Sequence, residues 1–414
     1  MRFRQAAWLA ICITGASLIG ASARAAPDIG FSRWLESLWP QAQSMGVSRK
    51  TFTAAIHGLE PDLKLPDLDL PGRKGEPLRG QAEFVQTPQD YLRESSIARL
   101  AERGKQLAAQ HRATLAAIEQ KFGVPPDIIL AIWGRETAFG GHKLPHNAIR
   151  VLATQGYYGR RKDRFREEFL YALKILEEGH VSLANMRSSW AGAMGLTQFM
   201  PSDFFKYAVD FDGDGRRNIF TSVPDALASA AQQLVGKGWK RGSRWAYEVR
   251  PPANVDCTMG VPDVKLTVAE WLQRGFVPLR GRRPTQQERD EPASFLQPEG
   301  TYGPTFLTLT NYFVIKEYNF SDLYVLFVGH LADRIGDPRG FETPWSKNSQ
   351  LRSTQVEAMQ RTLARLGLYK DKIDGKAGML TRSALGHYQK ANRLKVDCWP
   401  TQTVLNHMQA KGAR

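Results

Sequence analysis

The sequence predicts an α+β protein that is predominantly α: a large helical domain with a small β subdomain, then a linker and a short helical module. Three observations carry this reading. Apolar residues recur at spacings of three and four from Phe31 to Ile56, from Tyr91 to Lys121 and, with glycine-bearing breaks, from Pro125 to about Leu234, the period of a helix with a buried face. The pattern changes near Trp245, after which Tyr247-Glu248-Val249, Ser294-Phe295-Leu296 and Phe306-Leu307-Thr308-Leu309 read as short strands. Gly336 to Gln350, with Pro338, Gly340 and Pro344, has a linker's composition, and one more helical pattern follows it.

At the start, Arg2 and Arg4 precede an apolar run from Ala6 to Ile19, and Ala23-Arg24-Ala25 has the form of a signal-peptidase site. The run is shorter than the roughly 20 residues a spanning helix needs. Residues 1–25 are therefore expected to be a cleavable export signal, leaving a periplasmic chain with no transmembrane segment. Cys12 lies inside the apolar run, which argues against a lipoprotein. The main domain then covers residues 26–336, the linker 337–350 and the last module 351–414. Pro61 to Arg79 reads as a surface loop, and Gly281 to Glu291 as an exposed basic loop. Phe165, Phe169, Leu173 and Leu176 form one helical stripe, and a helix is expected from about Asn319 to Ile335.

Composition excludes several classes. In 414 residues, 42% are hydrophobic and 23% charged, which is incompatible with a disordered, collagen-like or polytopic membrane chain. Three cysteines are too few for a disulfide scaffold or a thiolate zinc cluster. An excess of 56 Lys+Arg over 41 Asp+Glu gives a formal charge of +15, or +12 once Arg2, Arg4 and Arg24 leave with the signal. Export turns the expected polyanionic partner from nucleic acid to cell-wall polymers, anionic lipids or acidic polysaccharides. Cys257 and Cys398 remain after cleavage; an oxidising compartment permits a bridge, and the sequence leaves their pairing open.

One acid stands out. Pro125-Pro126-Asp127 opens a helix, and Ile128, Ile129, Ile132 and Trp133 form its apolar stripe. Glu136 follows Ile132 by four and Trp133 by three, so it projects from the same face. A desolvated carboxylate there favours its protonated form, the state a general acid needs to protonate a glycosidic oxygen. The alternative is an ion pair with Arg135 or Lys143. A second segment, Ser189 to Pro201, crowds Gly192, Ala193 and Gly195 between Ser189 and the pair Gln198-Phe199. Its small residues let backbone approach a ligand, with Ser189 and Gln198 as hydrogen-bonding groups and Phe199 as a stacking face for a sugar. Close helix packing is the competing use of such residues.

Gly134-Arg135-Glu136-Thr137, the Ser189–Pro201 segment, and Asn311-Tyr312-Phe313-Val314-Ile315 running on to Tyr318-Asn319 together resemble the lytic murein transglycosylase B family, from about Phe31 to Ile335. The resemblance implies a lysozyme-like domain that cleaves the β-1,4 bond between N-acetylmuramic acid and N-acetylglucosamine, leaving 1,6-anhydromuramic ends. It implies Glu136 as the catalytic glutamate and Tyr158, Ser189, Gln198, Phe199, Tyr318, Asn319 and Tyr324 as glycan-binding residues. Gln233 stands where a further cleft tyrosine is expected. The chemistry is consistent with one acid: Glu136 protonates the leaving oxygen and then, as carboxylate, takes the proton of the muramic C6 hydroxyl. The tethered hydroxyl's high effective molarity lets it outrun water. A hydrolytic muramidase and a non-catalytic wall-binding scaffold are the rival readings.

Asp210-Phe211-Asp212-Gly213-Asp214-Gly215-Arg216-Arg217-Asn218 follows the EF-hand order, with acids at positions 1, 3 and 5 and glycine at 6. Asp210, Asp212, Asp214, the Arg216 carbonyl and Asn218 are the candidate ligands of a structural calcium or sodium ion. Position 12 is Thr221, which departs from the usual glutamate. Asp225 is the next acid, and with Ser222 it has capping-box spacing. No catalytic cofactor is expected.

In the last module, Val356, Met359, Leu363 and Leu366 make a helical stripe, followed by Asp374-Gly375 and Thr381-Arg382. This resembles the three-helix peptidoglycan-binding domain found beside wall hydrolases, although Cys398-Trp399-Pro400 replaces a glycine-aromatic-proline turn. The resulting expectation is a monomer whose partners are peptidoglycan glycan strands, with other cell-wall enzymes as further candidates.

Overall fold

The computed structural model describes residues 28–70, 86–260, 264, 266–346 and 351–412. The expected export signal lies outside them, as do 71–79 of the 61–79 loop and 347–350 of the linker.

The first amphipathic stretch resolves into Ile29–Ser37, Trp39–Ser44 and Arg49–Ile56. Asp28 and Ser48 cap the first and third by accepting from the Phe31 and Thr51 amides. Glu94–Gln110 and Arg112–Phe122 follow, and Gly123 ends the latter in a left-handed conformation at φ 71°. Pro126–Thr137 comes next, with every residue from Ile128 to Gly134 buried. It is a central helix, apolar on all sides rather than on one stripe. It packs against Glu94–Gln110 and Asp322–Gly336 to organise the first hydrophobic core.

A second core forms between Ala148–Tyr158 and Lys162–Glu177, where Phe165, Phe169 and Leu173 point inward as expected. Each fully buried side chain of this kind contributes about 1.5–3 kcal/mol. Tyr318 packs at the edge of both cores and so marks the seam between them.

The three expected strands are present as Ala246–Arg250, Pro292–Leu296 and Thr305–Thr308. They join two shorter ones in an antiparallel sheet ordered Leu266–Thr267, Pro292–Leu296, Thr305–Thr308, Ala246–Arg250, Val277–Pro278. One expectation needs correction here. The 281–291 segment is not simply an exposed loop. It contains the short helix Gln286–Arg289, and Glu288 is 2% exposed, accepting from Tyr247 Oη and the Arg244 amide. The helix expected from about Asn319 to Ile335 is present as Asp322–Gly336, and a further short helix, Thr310–Lys316, precedes it, with Tyr318 to Ser321 in the turn between them.

The C-terminal module has three helices, Ser353–Arg365, Met379–Ala391 and Gln402–Gly412, around a core of its own. Val356, Met359 and Leu363 enter that core, whereas Leu366 lies past the helix end and is exposed. The module is not a loosely tethered bead. A Cys257–Cys398 disulfide joins it to the main domain, and Lys390 Nζ donates to Asp256 at 2.5 Å. The expected linker also lies against the main domain. Phe341 stacks on the His330 ring at 3.8 Å, and the Glu342 and Thr343 amides donate to Glu248.

Candidate functional site

Glu136 sits in the last turn of the central helix, half-buried at the seam of the two cores. Tyr324, from the Asp322–Gly336 helix, donates its phenol to Glu136 Oε1 at 2.5 Å. Burial and the Glu136 charge push the Tyr324 phenol well above its usual pKa, so it stays a donor. Tyr318 lies parallel to Tyr324 with ring centroids 6.5 Å apart and donates to the Thr197 carbonyl at 2.8 Å. One chain of contacts thus runs from Glu136 through both tyrosines to the 189–201 loop.

The backbone beyond Glu136 is under strain. Ala138, Phe139 and Gly140 are all left-handed, at φ 49°, 59° and 78°, a conformation costly for the first two residues. Phe139 folds back onto Gly134, where an added Cβ would meet its ring at 2.7 Å. The Thr137 hydroxyl fixes this turn: it donates to the Leu196 carbonyl at 2.7 Å and accepts from the Gly140 amide. Burial opposes the Arg135 charge, but Tyr91 and the Glu136 charge outweigh it and raise its pKa. Its guanidinium donates to Tyr91 Oη and lies over the Tyr91 and Phe327 rings at 5.0 and 5.1 Å.

The 189–201 loop is built from backbone bridges, Ser188 to Met194 and Met194 to Phe199. Ser189 Oγ accepts from the Ala191 and Ala193 amides, and Gln198 Nε2 donates to the Gly195 carbonyl. Gly195 has φ 74°, and an added Cβ would meet the Ile219 carbonyl oxygen at 2.7 Å, so only glycine fits. Phe199 needs correction: at 1% exposure it belongs to the second core and offers no face to a sugar. Its apolar ring wins more by joining Phe169 and Phe204 than by facing solvent.

The structure does not bring Tyr158 into the contact chain of Glu136. Tyr158 donates to Asp28, which with burial pushes its phenol up to about 12, and it packs near Trp190 and Leu68. Asn319 caps the turn before Asp322–Gly336 by accepting from the Ser321 amide. Gln233 is 4% exposed, with Oε1 lacking a hydrogen-bond donor among the described residues. Sequence reasoning named Thr137 only as part of a motif and missed the Ala138–Gly140 strain, for which the adjacent Gly140 and Gly141 are the available local signal.

In the acidic loop, oxygens of Asp210, Asp212, Asp214 and Asp225 lie within 4.8 Å of one another. Asp225 is fully buried, and that burial raises its carboxyl against three amides, Phe211, Asp212 and Asn218, that lower it. Its carboxylate is not returned to Ser222 in a reciprocal cap; Ser222 Oγ accepts the Asp225 amide and donates to Asp212. The Asn218 side-chain oxygen accepts from the Phe220 and Thr221 amides. The four hard carboxylates fit a calcium-like ion, with Asp225 beside the three acids of the expected set.

Residues 30–333 match the transglycosylase SLT domain family, and residues 352–408 match the putative peptidoglycan binding domain family. This chain belongs to the transglycosylase SLT domain family. It is 32% identical over 231 residues to membrane-bound lytic murein transglycosylase B of Escherichia coli (strain K12), an alignment that covers 55% of this chain and 61% of the relative. The chain thus spans less than two thirds of that relative's length. A crystal structure of SltB3 from Pseudomonas aeruginosa in complex with NAG-anhNAM-pentapeptide superposes with TM-score 0.79 at 35% identity, covering 92% of this chain and 99% of that one. The Escherichia coli lytic transglycosylase Slt35 in complex with calcium superposes with TM-score 0.51 at 28% identity, covering 61% of this chain and 78% of that one. The α+β, mostly helical fold expected for the family is the one observed. No helix among the described residues is long and apolar enough to cross a membrane.

Proposed function

We propose that this protein is a periplasmic lytic transglycosylase that cleaves the β-1,4 MurNAc–GlcNAc bond of peptidoglycan and leaves 1,6-anhydromuramic ends. The observation that carries the reading is Glu136 at the seam of two cores, held by the buried phenol of Tyr324. Glu136 protonates the glycosidic oxygen, and the substrate's acetamido group stabilises the developing cation, a substrate-assisted route. The Glu136 carboxylate then accepts the C6 hydroxyl proton as that oxygen closes on C1. Bond and proton balance without water. Ser189, Gln198, Tyr318 and Asn319 line the path of the strand on this reading, while Phe199 supports it from the core. SltB3 holds a sugar–peptide fragment, which fits peptidoglycan as the substrate here.

The domain plan is an exported chain with residues 26–336 catalytic, 337–350 connecting and 351–414 binding glycan. Mass spectrometry of digested murein tests the activity. Anhydromuramic ends are expected; reducing ends would instead favour the hydrolytic rival, and an uncut sacculus to which the protein binds would favour the scaffold.

Asp210, Asp212, Asp214 and Asp225 would hold a structural calcium ion, which would neutralise their mutual repulsion and tie the loop to the Val223–Gly236 helix. Saturating calcium after chelator treatment is expected to raise Tm by about 3–6 °C. Asp214→Ala should abolish that gain. Equal melting with and without calcium would overturn the assignment.

A further inference from the structure

Thr137 and Leu196, joined by a hydrogen bond, both line a cavity of 1190 Å³. The cavity therefore adjoins elements of the catalytic site: Thr137 is the residue after Glu136, and Leu196 belongs to the 189–201 loop. The lining contains Lys143, Arg187, Arg216, His142 and His180, and no aspartate or glutamate.

Three of these carry permanent charge that the fold leaves unneutralised. Arg187 donates to the main-chain carbonyls of Leu144 and Pro145 rather than to an acid. Lys143 and Arg216 make no side-chain ion pair among the described residues. His180 differs, because Glu178 at 3.0 Å and Arg217 at 3.2 Å hold it in a local network. A concave surface that gathers like charges repels itself when empty, and an anion relieves that cost. The acids of the neighbouring 210–214 loop are turned to each other and do not line the cavity.

Resting on the function proposed above, we propose that this cavity binds the carboxylates of the stem peptide borne by the muramic unit at Glu136. The reach is sufficient. Five extended residues span about 16–18 Å, more than enough to pass from Glu136 to a cavity lined by the residue after it. Peptide-bearing glycan would then be held at two points, the sugar in the seam and the peptide in the basic cavity, which favours strands that still carry their peptides. Because the cavity is open to solvent, the attraction is screened by salt.

The test uses the full wild-type chain, because the ligand chosen lacks the MurNAc–GlcNAc bond and is not consumed. A GlcNAc–MurNAc disaccharide is titrated calorimetrically with and without its stem pentapeptide. The peptide-bearing ligand is expected to bind about ten-fold tighter. That advantage should fall to within about two-fold when Lys143→Gln and Arg187→Gln are added, and again in roughly 0.5 M NaCl. Affinity for the peptide-free ligand should not change, which also shows that the variant is folded. Equal affinity for both ligands, an equal loss for both in the double variant, or no binding of either overturns the proposal. Failure of the functional reading looks different: the wild-type protein leaves murein uncut while the peptide-dependent difference in affinity persists.

Discussion

Replacing Glu136 with glutamine lowers the rate of anhydromuramic end formation by about 10²–10⁴-fold, the range of a lost general acid or base. The upper end is expected, because one group serves both proton transfers. Glutamine keeps the volume and an oxygen that still accepts from Tyr324, so neither the contact chain through Tyr318 nor the left-handed turn at Ala138–Gly140 is disturbed. Tm and affinity for glycan strands should therefore stay close to wild type while turnover is lost. The measurement is product mass spectrometry under single-turnover conditions, with a binding isotherm alongside. A variant that retains turnover within ten-fold of wild type would move the chemistry to another residue.

Removing the Asp322 carboxylate destabilises the protein by about 3–5 kcal/mol, as expected when one partner leaves a buried ion cluster. Asp322 opens the helix that carries Tyr324, and its side chain is only 14% exposed. It accepts from Tyr312 Oη at 2.8 Å and Lys316 Nζ at 2.5 Å on one oxygen, and from Arg382 of the C-terminal module at 3.4 Å on the other. Asp322→Ala strands two cations in a poorly solvated joint and loosens the junction between module and domain at once. Urea unfolding measures the loss; a change under 1 kcal/mol would show that water already shares the cluster.

The same group predicts an acid limit. Burial alone would raise its carboxyl, but the charges of Lys316 and Arg382 outweigh burial and hold it down at about 2. A lowered carboxyl contributes stability above its unfolded value of 3.8 and loses it as pH falls through the folded one. The contribution, about 2–3 kcal/mol at 1.4 per unit, should vanish between pH 4 and 2. Asp322→Asn, which cannot titrate, should show a flatter stability profile in that window. Parallel profiles would assign the acid limit to other carboxylates.

The sequence was most legible where the relevant forces are local. The 3.6-residue period marked the helix that carries Glu136, although that helix is buried all round rather than on the one expected stripe, and the pattern after Trp245 found the three expected strands. It failed where a residue's fate depends on distant chain. Gly281 to Glu291 is polar enough to read as loop, yet Glu288 is buried because Tyr247, 41 residues away, donates to it. Phe199 beside Ser189 and Gln198 reads as a sugar platform, and only the crossing of Lys162–Glu177 behind the loop makes it core. The 337–350 segment has a free tether's composition, but composition does not reveal that Phe341 has His330 to stack on.

By itself the sequence determined the helical architecture, the small sheet, the single acid worth suspecting and the acidic loop, because periodicity, caps and turn residues act over a few neighbours. Only the tertiary structure decided that Tyr324, 188 residues from Glu136, is its hydrogen-bond partner. It also decided that Asp225 lies with Asp210, Asp212 and Asp214 in one acidic cluster, and that Cys257 meets Cys398 across 141 residues and docks the last module. These contacts arise where separate helices cross, and a one-dimensional pattern carries no information about which crossing the packing of the two cores will select.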